Sequence, residues 1–299
     1  MDAIRFLQSF ASPTLDTIML VITNLGSEQA YIVLLIVIYL SIDSRVGRWL
    51  GMGLLVSLYL NFTLKGLFDT ERPYAIDPAV SRGPQFDATG TGPSFPSGHA
   101  QASATFWFLS ALYFKRSWLY PLSVLLVVLI SLSRVYLGLH FIVDIVGGIG
   151  LGVLMVLLSF ELSTRLMARG PLNLFERATL IVIGIAAPLA VHLTVPQLQP
   201  MLTFHESSLF MGALAAFISG PLLYPHQAPR TLGAKLALAL LGVLVVFAVL
   251  YGSSMLPETL RQDPLGGFVR YLLLGYSGLI LTPFLARQIN LAPRALPTS

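Results

Sequence analysis

Six ionisable side chains stand at the edges of long apolar stretches in this sequence: Lys65 and Arg72, then His99, then Arg134, His140 and Asp144. By insertion scales a charged side chain costs about 2.5–3.5 kcal/mol at a bilayer centre, so each needs a partner or a task. Two arginines and a lysine suit a doubly charged phosphate group. Planar guanidinium forks meet its oxygens in pairs, and an ammonium adds a point charge. Two histidines suit its hydrolysis where no metal takes part. Taken singly, each cation also fits a snorkelling residue that anchors a helix end among headgroups.

His140 and Asp144 are four residues apart, which places them on one face of a helix. A carboxylate there holds the proton of one imidazole nitrogen and leaves the other as a lone-pair donor, the arrangement a nucleophilic histidine needs. A buried His–Asp pair that only packs has the same spacing. Pro96, Ser97, Gly98 and His99 precede an apolar run, so they open a helix whose first N–H groups favour an anion. Gly98 lets the backbone approach closely, Ser97 offers an N–H and a hydroxyl, and His99 reaches the same anion from the first turn. The plainer alternative makes Ser97 an N-cap and nothing more. Two histidines and an aspartate also suit zinc. Three cations converging on one spot would repel such an ion, so the expectation is no metal and no cofactor.

The elements that must position these groups are membrane helices. The chain is 55% hydrophobic and 11% charged, with a mean hydropathy of +0.78, against about 25% charged residues in a soluble domain. The net charge of +4 is no nucleic-acid footprint, because the basic residues sit in short clusters between apolar runs. The absence of cysteine excludes disulfides and thiolate metal sites. At about 20 apolar residues per span, the sequence predicts nine: 25–42, 48–68, 99–115, 119–138, 140–164, 176–195, 206–224, 233–254 and 266–287, or ten where residues 11–24, which otherwise extend the first, make a span of their own. The predicted fold is all-α, a polytopic transmembrane helix bundle with an interfacial N-terminal helix. Residues 1–24 carry no cleaved-signal pattern and read as an amphipathic helix with Ile4, Phe6, Leu7 and Phe10 on one side. Residues 25–165 hold the motifs, and 166–299 add four spans of unassigned role. The polar connection 69–98 is long enough to expect a function for it.

Nine spans put eleven basic residues, from Arg45 to Arg294, on one side and seven on the other. Three of the seven are the motif residues Lys65, Arg72 and Arg134, which leaves eleven against four. The eleven-charge side is then cytoplasmic, and the motifs face the exterior, the periplasm or an organelle lumen. Among lesser features, Gly148 and Gly152 predict a close helix contact. Asn61 opens a glycosylation triplet inside a span and is expected to be unmodified. His205 and Glu206 read as an interfacial pair that alternatively borders the site.

Together the three segments resemble the signature of the type 2 phosphatidic acid phosphatase superfamily. Lys65, Arg72 and Pro73 match its first motif, Pro96, Ser97, Gly98 and His99 its second, and Ser133, Arg134, His140 and Asp144 its third. The resemblance covers about residues 25–165. It implies that His140 attacks phosphorus, that Asp144 orients it and that His99 protonates the leaving oxygen. Lys65, Arg72 and Arg134, with Ser97 and Gly98, would hold the phosphoryl group, and a phosphohistidine intermediate would be hydrolysed by water. The implied substrate is a phosphorylated lipid of phosphatidate, sphingoid or isoprenyl type, and the implied surroundings are membrane lipids. The expected span count and the motif positions also look like glucose-6-phosphatase, which keeps a small sugar phosphate as the alternative substrate and a lipid phosphotransferase as the alternative reaction. The four C-terminal spans could enlarge the pocket, conduct something or make a homodimer contact.

Overall fold

The computed structural model of the chain describes residues 1–90, 92–198 and 203–293, so Arg294 and Ser299 lie outside the described residues. In chain order the helices are α1 (Asp2–Gln8), α2 (Pro13–Asn24), α3 (Glu28–Val37), α4 (Ser44–Phe68), α5 (Pro73–Ile76), α6 (Pro84–Asp87), α7 (Gly98–Phe114), α8 (Leu119–Tyr136), α9 (Ile142–Met167), α10 (Leu174–Leu198), α11 (Phe204–Leu223), α12 (Leu232–Ser254), α13 (Glu258–Gln262), α14 (Pro264–Tyr276) and α15 (Thr282–Gln288). Among the described residues there is no strand. The protein is a multi-pass, all-α integral membrane protein.

Among the described residues, seven helices are long and apolar enough to cross a membrane, or eight if α2 and α3, bent by 50° at their junction, form one span. Nine were expected. The difference falls partly on α7, whose 17 residues reach only about 25 Å at 1.5 Å per residue, short of a core about 30 Å thick. The 69–98 connection has structure of its own: α5, α6 and a 3₁₀ turn at Pro78–Val80.

The chain forms two compact units that do not follow its linear order. One comprises Met1–Tyr31 and Ser57–Leu162, the other Ile32–Val56 and Ser163–Ser299. In the first unit, α7 is buried on nearly every side, and its Ala, Ser and Thr residues let neighbours come close. A side chain at Gly148 would meet the Ser97 carbonyl at 2.5 Å, and one at Gly152 the Gln101 carbonyl at 2.8 Å. The expected small-residue contact is therefore the α7–α9 interface. Polar groups inside it are paired across helices. Asn61 donates to Gln101 Oε1 (2.8 Å) and to the Pro96 carbonyl (3.2 Å), Gln101 donates to the Ser57 carbonyl (2.7 Å), and Ser57 meets Thr105 at 2.9 Å. Asn61 is thus a buried structural residue.

The N-terminal helix differs from its expected amphipathic pattern. Ile4 packs into a core with Val80, Ala100, Val135 and Ile145, and Leu7 packs beside it. Phe6 and Phe10 are 64% and 65% exposed and stack edge to face at 5.6 Å. The apolar positions are split because the 69–98 connection and the end of α8 offer α1 a protein surface to cover.

In the second unit, glycines again set the packing. A side chain at Gly51 would collide with the Phe217 ring at 2.1 Å, and one at Gly242 with Leu40 at 2.2 Å. Thr203 and Glu206 cap α11 reciprocally, since the Thr203 hydroxyl donates to Glu206 (2.8 Å) and accepts from its N–H (3.2 Å). His205 lies edge-on to Tyr271.

Candidate active site

Helix ends deliver every motif residue. Arg134 sits in the last turn of α8, which stops in a Schellman arrangement: Leu139 N–H reaches the Arg134 carbonyl and Gly138 N–H the Val135 carbonyl, both at 3.0 Å. Gly138 has φ +73°, and a side chain there would strike the Val80 carbonyl at 2.2 Å, so this turn requires glycine. The chain then runs through His140 and enters α9 at Ile142.

His140 therefore precedes the helix on which spacing alone placed it. It still meets Asp144, for a different reason. Asp144 is the third residue of α9, and its Oδ2 reaches back to the Phe141 N–H at 2.8 Å, half of a capping box. The same oxygen lies 3.3 Å from His140 Nδ1 and accepts from the Ser94 hydroxyl at 2.6 Å. Three donors thus fix one carboxylate oxygen. Both residues of the pair are buried, at 1% and 2% exposure. With Nδ1–H directed at Asp144, the lone pair of Nε2 points the other way, and Arg72 Nη1 lies 3.1 Å from it. His140 is outside both flanking spans. Burial first, then the charges of Arg72, Arg134 and Lys65, push its pKa well below the usual imidazole value, which favours the neutral, nucleophilic form.

Backbone carbonyls hold Arg72 and Lys65, and two threonine hydroxyls join a carbonyl in holding Arg134. Arg72 donates to the carbonyls of Gly92 (2.7 Å), Leu139 (3.0 Å) and Pro93 (3.2 Å). Lys65 donates to the carbonyls of Pro93 and Ser94. Arg134, 1% exposed, donates to the hydroxyls of Thr23 (2.9 Å) and Thr89 (3.0 Å) and to the Thr89 carbonyl (2.9 Å). Its Nε–H is buried without a partner. An orphaned donor on a buried cation is costly unless something fills the place, and a phosphate oxygen suits it. A side chain at Gly90 would lie 2.9 Å from Arg72 and 3.2 Å from Arg134, so the connection passes directly over both forks.

Ser97 is the N-cap of α7, its hydroxyl facing Ala100 N–H at 3.5 Å. Its own N–H donates to the Asp144 carbonyl at 3.0 Å. Of the two donors expected to serve an anion, the N–H instead ties the second motif to the third. Gly98 opens the helix within 3.2 Å of Asn61 Oδ1 for an added Cβ. His99 follows in the first turn, close enough to Arg134, Arg72 and Lys65 to feel their charges. All eight residues that the sequence singled out thus gather at one end of the first unit. Sequence reasoning missed Ser94, Thr23 and Thr89. Ser94 lies only three residues before Ser97, but nothing in its type or spacing marks it among the serines of that connection. Among the described residues, no group of three or more His, Asp or Glu side chains is arranged to hold a metal ion.

A family model matches the segment that holds these residues, and several known proteins resemble part of the chain. Residues 47–168 match the PAP2 superfamily. Phosphatidylglycerophosphatase B of Bacillus subtilis is 29% identical over 159 residues, 49% of this chain and 74% of that protein. An undecaprenyl-diphosphatase of Sulfolobus acidocaldarius is 26% identical over 166 residues, 55% of this chain and 76% of that protein. The crystal structure of a transmembrane PAP2-type phosphatidylglycerolphosphate phosphatase from Bacillus subtilis aligns with a TM-score of 0.46 at 24% identity, over 55% of this chain and 84% of that one. The segment matched by the PAP2 superfamily model, residues 47–168, holds Lys65, Arg72, His99, Arg134, His140 and Asp144, and the relatives that this chain resembles are membrane phosphatases.

Proposed function

We propose that the protein hydrolyses a phosphate monoester or diphosphate of a membrane lipid on the extracytoplasmic side, through a phosphohistidine and without a metal. The observation that carries this reading is His140, with Asp144 on its Nδ1 and a phosphate-binding cation 3.1 Å from its Nε2. In-line attack by Nε2 on a phosphoryl group held by Arg72, Arg134 and Lys65 forms the N–P bond and breaks the P–O bond to the lipid. His99 gives its proton to the departing oxygen and then takes one from the water that cleaves the N–P bond. The cations supply the charge stabilisation that a divalent ion supplies elsewhere.

The test is phosphate release from a panel of lipid and sugar phosphates by the detergent-purified protein in EDTA. Lipid phosphates are expected to be the better substrates, with activity unaffected by chelator. Rescue of a chelated enzyme by magnesium or zinc would refute the metal-free route, and a preference for sugar phosphates would refute the lipid. In the same panel, His99→Ala should lose far more activity on alkyl esters than on p-nitrophenyl phosphate, whose leaving group hardly needs a proton. Equal losses would make His99 a phosphate ligand only.

Sidedness rests on eleven basic residues against four outside the motifs. The chain has no cysteine, so an introduced one reports cleanly. An impermeant thiol reagent should label Ala79→Cys in intact cells and Ser117→Cys only after the membrane is broken. The reverse pattern would place the site in the cytoplasm.

A further inference from the structure

The N-terminal helices lie outside the matched segment 47–168, yet they are tied to the site at every level. Near the start of the chain, Gln8 donates to the carbonyls of Val80 (2.9 Å) and Tyr136 (2.8 Å). In α2, Asp16 receives both edges of Arg82 (3.1 and 2.7 Å) and the Tyr136 hydroxyl (2.6 Å). Leu15, Met19 and Leu20 pack on Phe86, Tyr136, Leu137 and Leu139, the last of these adjoining His140. Arg5 and Asp77 also meet at 2.9 Å, but Arg5 is 63% exposed, and such surface pairs add about 0–1 kcal/mol. The other ties are partly or fully buried, and they fasten α2 across both the 69–98 connection and the end of α8.

At its far end α2 delivers Thr23, fully buried, to Arg134 Nη1 at 2.9 Å. Two residues later the chain bends, and a side chain at Gly26 would lie 3.1 Å from His99 Cδ2 and 2.7 Å from Ile130. The α2–α3 elbow is therefore a wall of the site, touching the cation with the orphaned Nε–H on one side and the second histidine on the other.

We propose that Thr23 is a positioning residue of the phosphate site: its hydroxyl, fixed by the N-terminal strap, aims Arg134 so that the free Nε–H meets the phosphoryl oxygens. The inference rests on the phosphatase reading above and adds a part that the matched segment does not contain. Thr23 and Thr89 both accept from Nη1, which has two hydrogens to give, so both bear on how the guanidinium is set. Removing one acceptor leaves an Nη1–H unpaired in a buried place, and the fork turns to satisfy it.

The test uses the full chain in detergent micelles and inorganic phosphate as the probe, with binding read both as inhibition of turnover and as a shift in thermal midpoint. Thr23→Val keeps the volume and removes the hydroxyl. It is expected to weaken phosphate binding and raise KM about tenfold, equivalent to about 1.4 kcal/mol, with kcat within about threefold. Thr23→Ser restores the acceptor and should return both values to within about twofold of the original. Should the valine variant not fold, Thr23→Ala takes its place with the same expectation. Wild-type phosphate affinity in the valine or alanine variant, alongside its loss in Arg134→Ala, would overturn the role of Thr23 while leaving the phosphatase reading intact. Undiminished phosphate binding in Arg134→Ala would refute both. A loss that Thr23→Ser fails to repair would show that Thr23 only packs.

Discussion

His140→Ala is expected to abolish turnover while leaving phosphate binding in place. The covalent route has no substitute nucleophile, because no other side chain in the site presents a lone pair backed by a carboxylate. Loss of a covalent nucleophile costs on the order of 10⁶-fold in a well-studied protease, and an effect of that order is expected here. The wild-type protein mixed with radiolabelled substrate and quenched in base should retain label on the chain, in the acid-labile, base-stable form of a phosphohistidine. The alanine variant should retain none. A His140→Ala rate above a tenth of wild type would move the nucleophile elsewhere.

Asp144→Asn is expected to slow turnover on the order of 10⁴-fold, by analogy with a triad carboxylate, with phosphate affinity nearly unchanged. The reason is the crowding of donors at Oδ2: Ser94 Oγ–H at 2.6 Å, Phe141 N–H at 2.8 Å and His140 Nδ1 at 3.3 Å. If the amide oxygen of asparagine faces Ser94 and Phe141, the imidazole keeps an acceptor but loses the anion that stabilises its charged form. If the NH₂ faces them, it meets donors and the histidine swings away. Either way the fast route is lost. Rates at saturating substrate would check this, and a loss below tenfold would reduce Asp144 to a helix cap.

What could be read from the chain, and what could not, divides by the range of the interactions. The three cations, both histidines and the carboxylate follow from residue type and local spacing, because each sits where a helix starts or stops. The His140–Asp144 contact was expected on a helix face, but it arises from a helix start, where a third-residue carboxylate reaches backward. Both routes bring the same two residues together, so spacing found the pair without finding its geometry. Ser94, 50 positions from Asp144, and Thr23, 111 from Arg134, gave no such signal. Their contacts exist only once distant segments have folded together, and a serine or threonine in a loop or an apolar helix looks like any other. The split face of α1 was hidden for the same reason, since amphipathicity shows that a stripe is buried but not whether lipid or protein buries it.

The interleaving of the two units bears on how such a protein can be divided or inherited. Residues 32–56 come before the motifs in the chain, yet they share their core with residues 163–299: Tyr39 and Leu40 pack with Leu238, Val246 and Leu279. Gly51 and Gly242 leave room only for Phe217 and Leu40 respectively. A cut after Leu162 therefore strips the partners from the end of α3, the junction after it and the start of α4, and leaves apolar surface and the Leu40 carbonyl without His226. The C-terminal half is not a cassette that can be exchanged at one junction. A lineage that acquired or lost it had to remake positions more than a hundred residues upstream, and an engineer grafting this phosphatase core onto another scaffold inherits the same obligation.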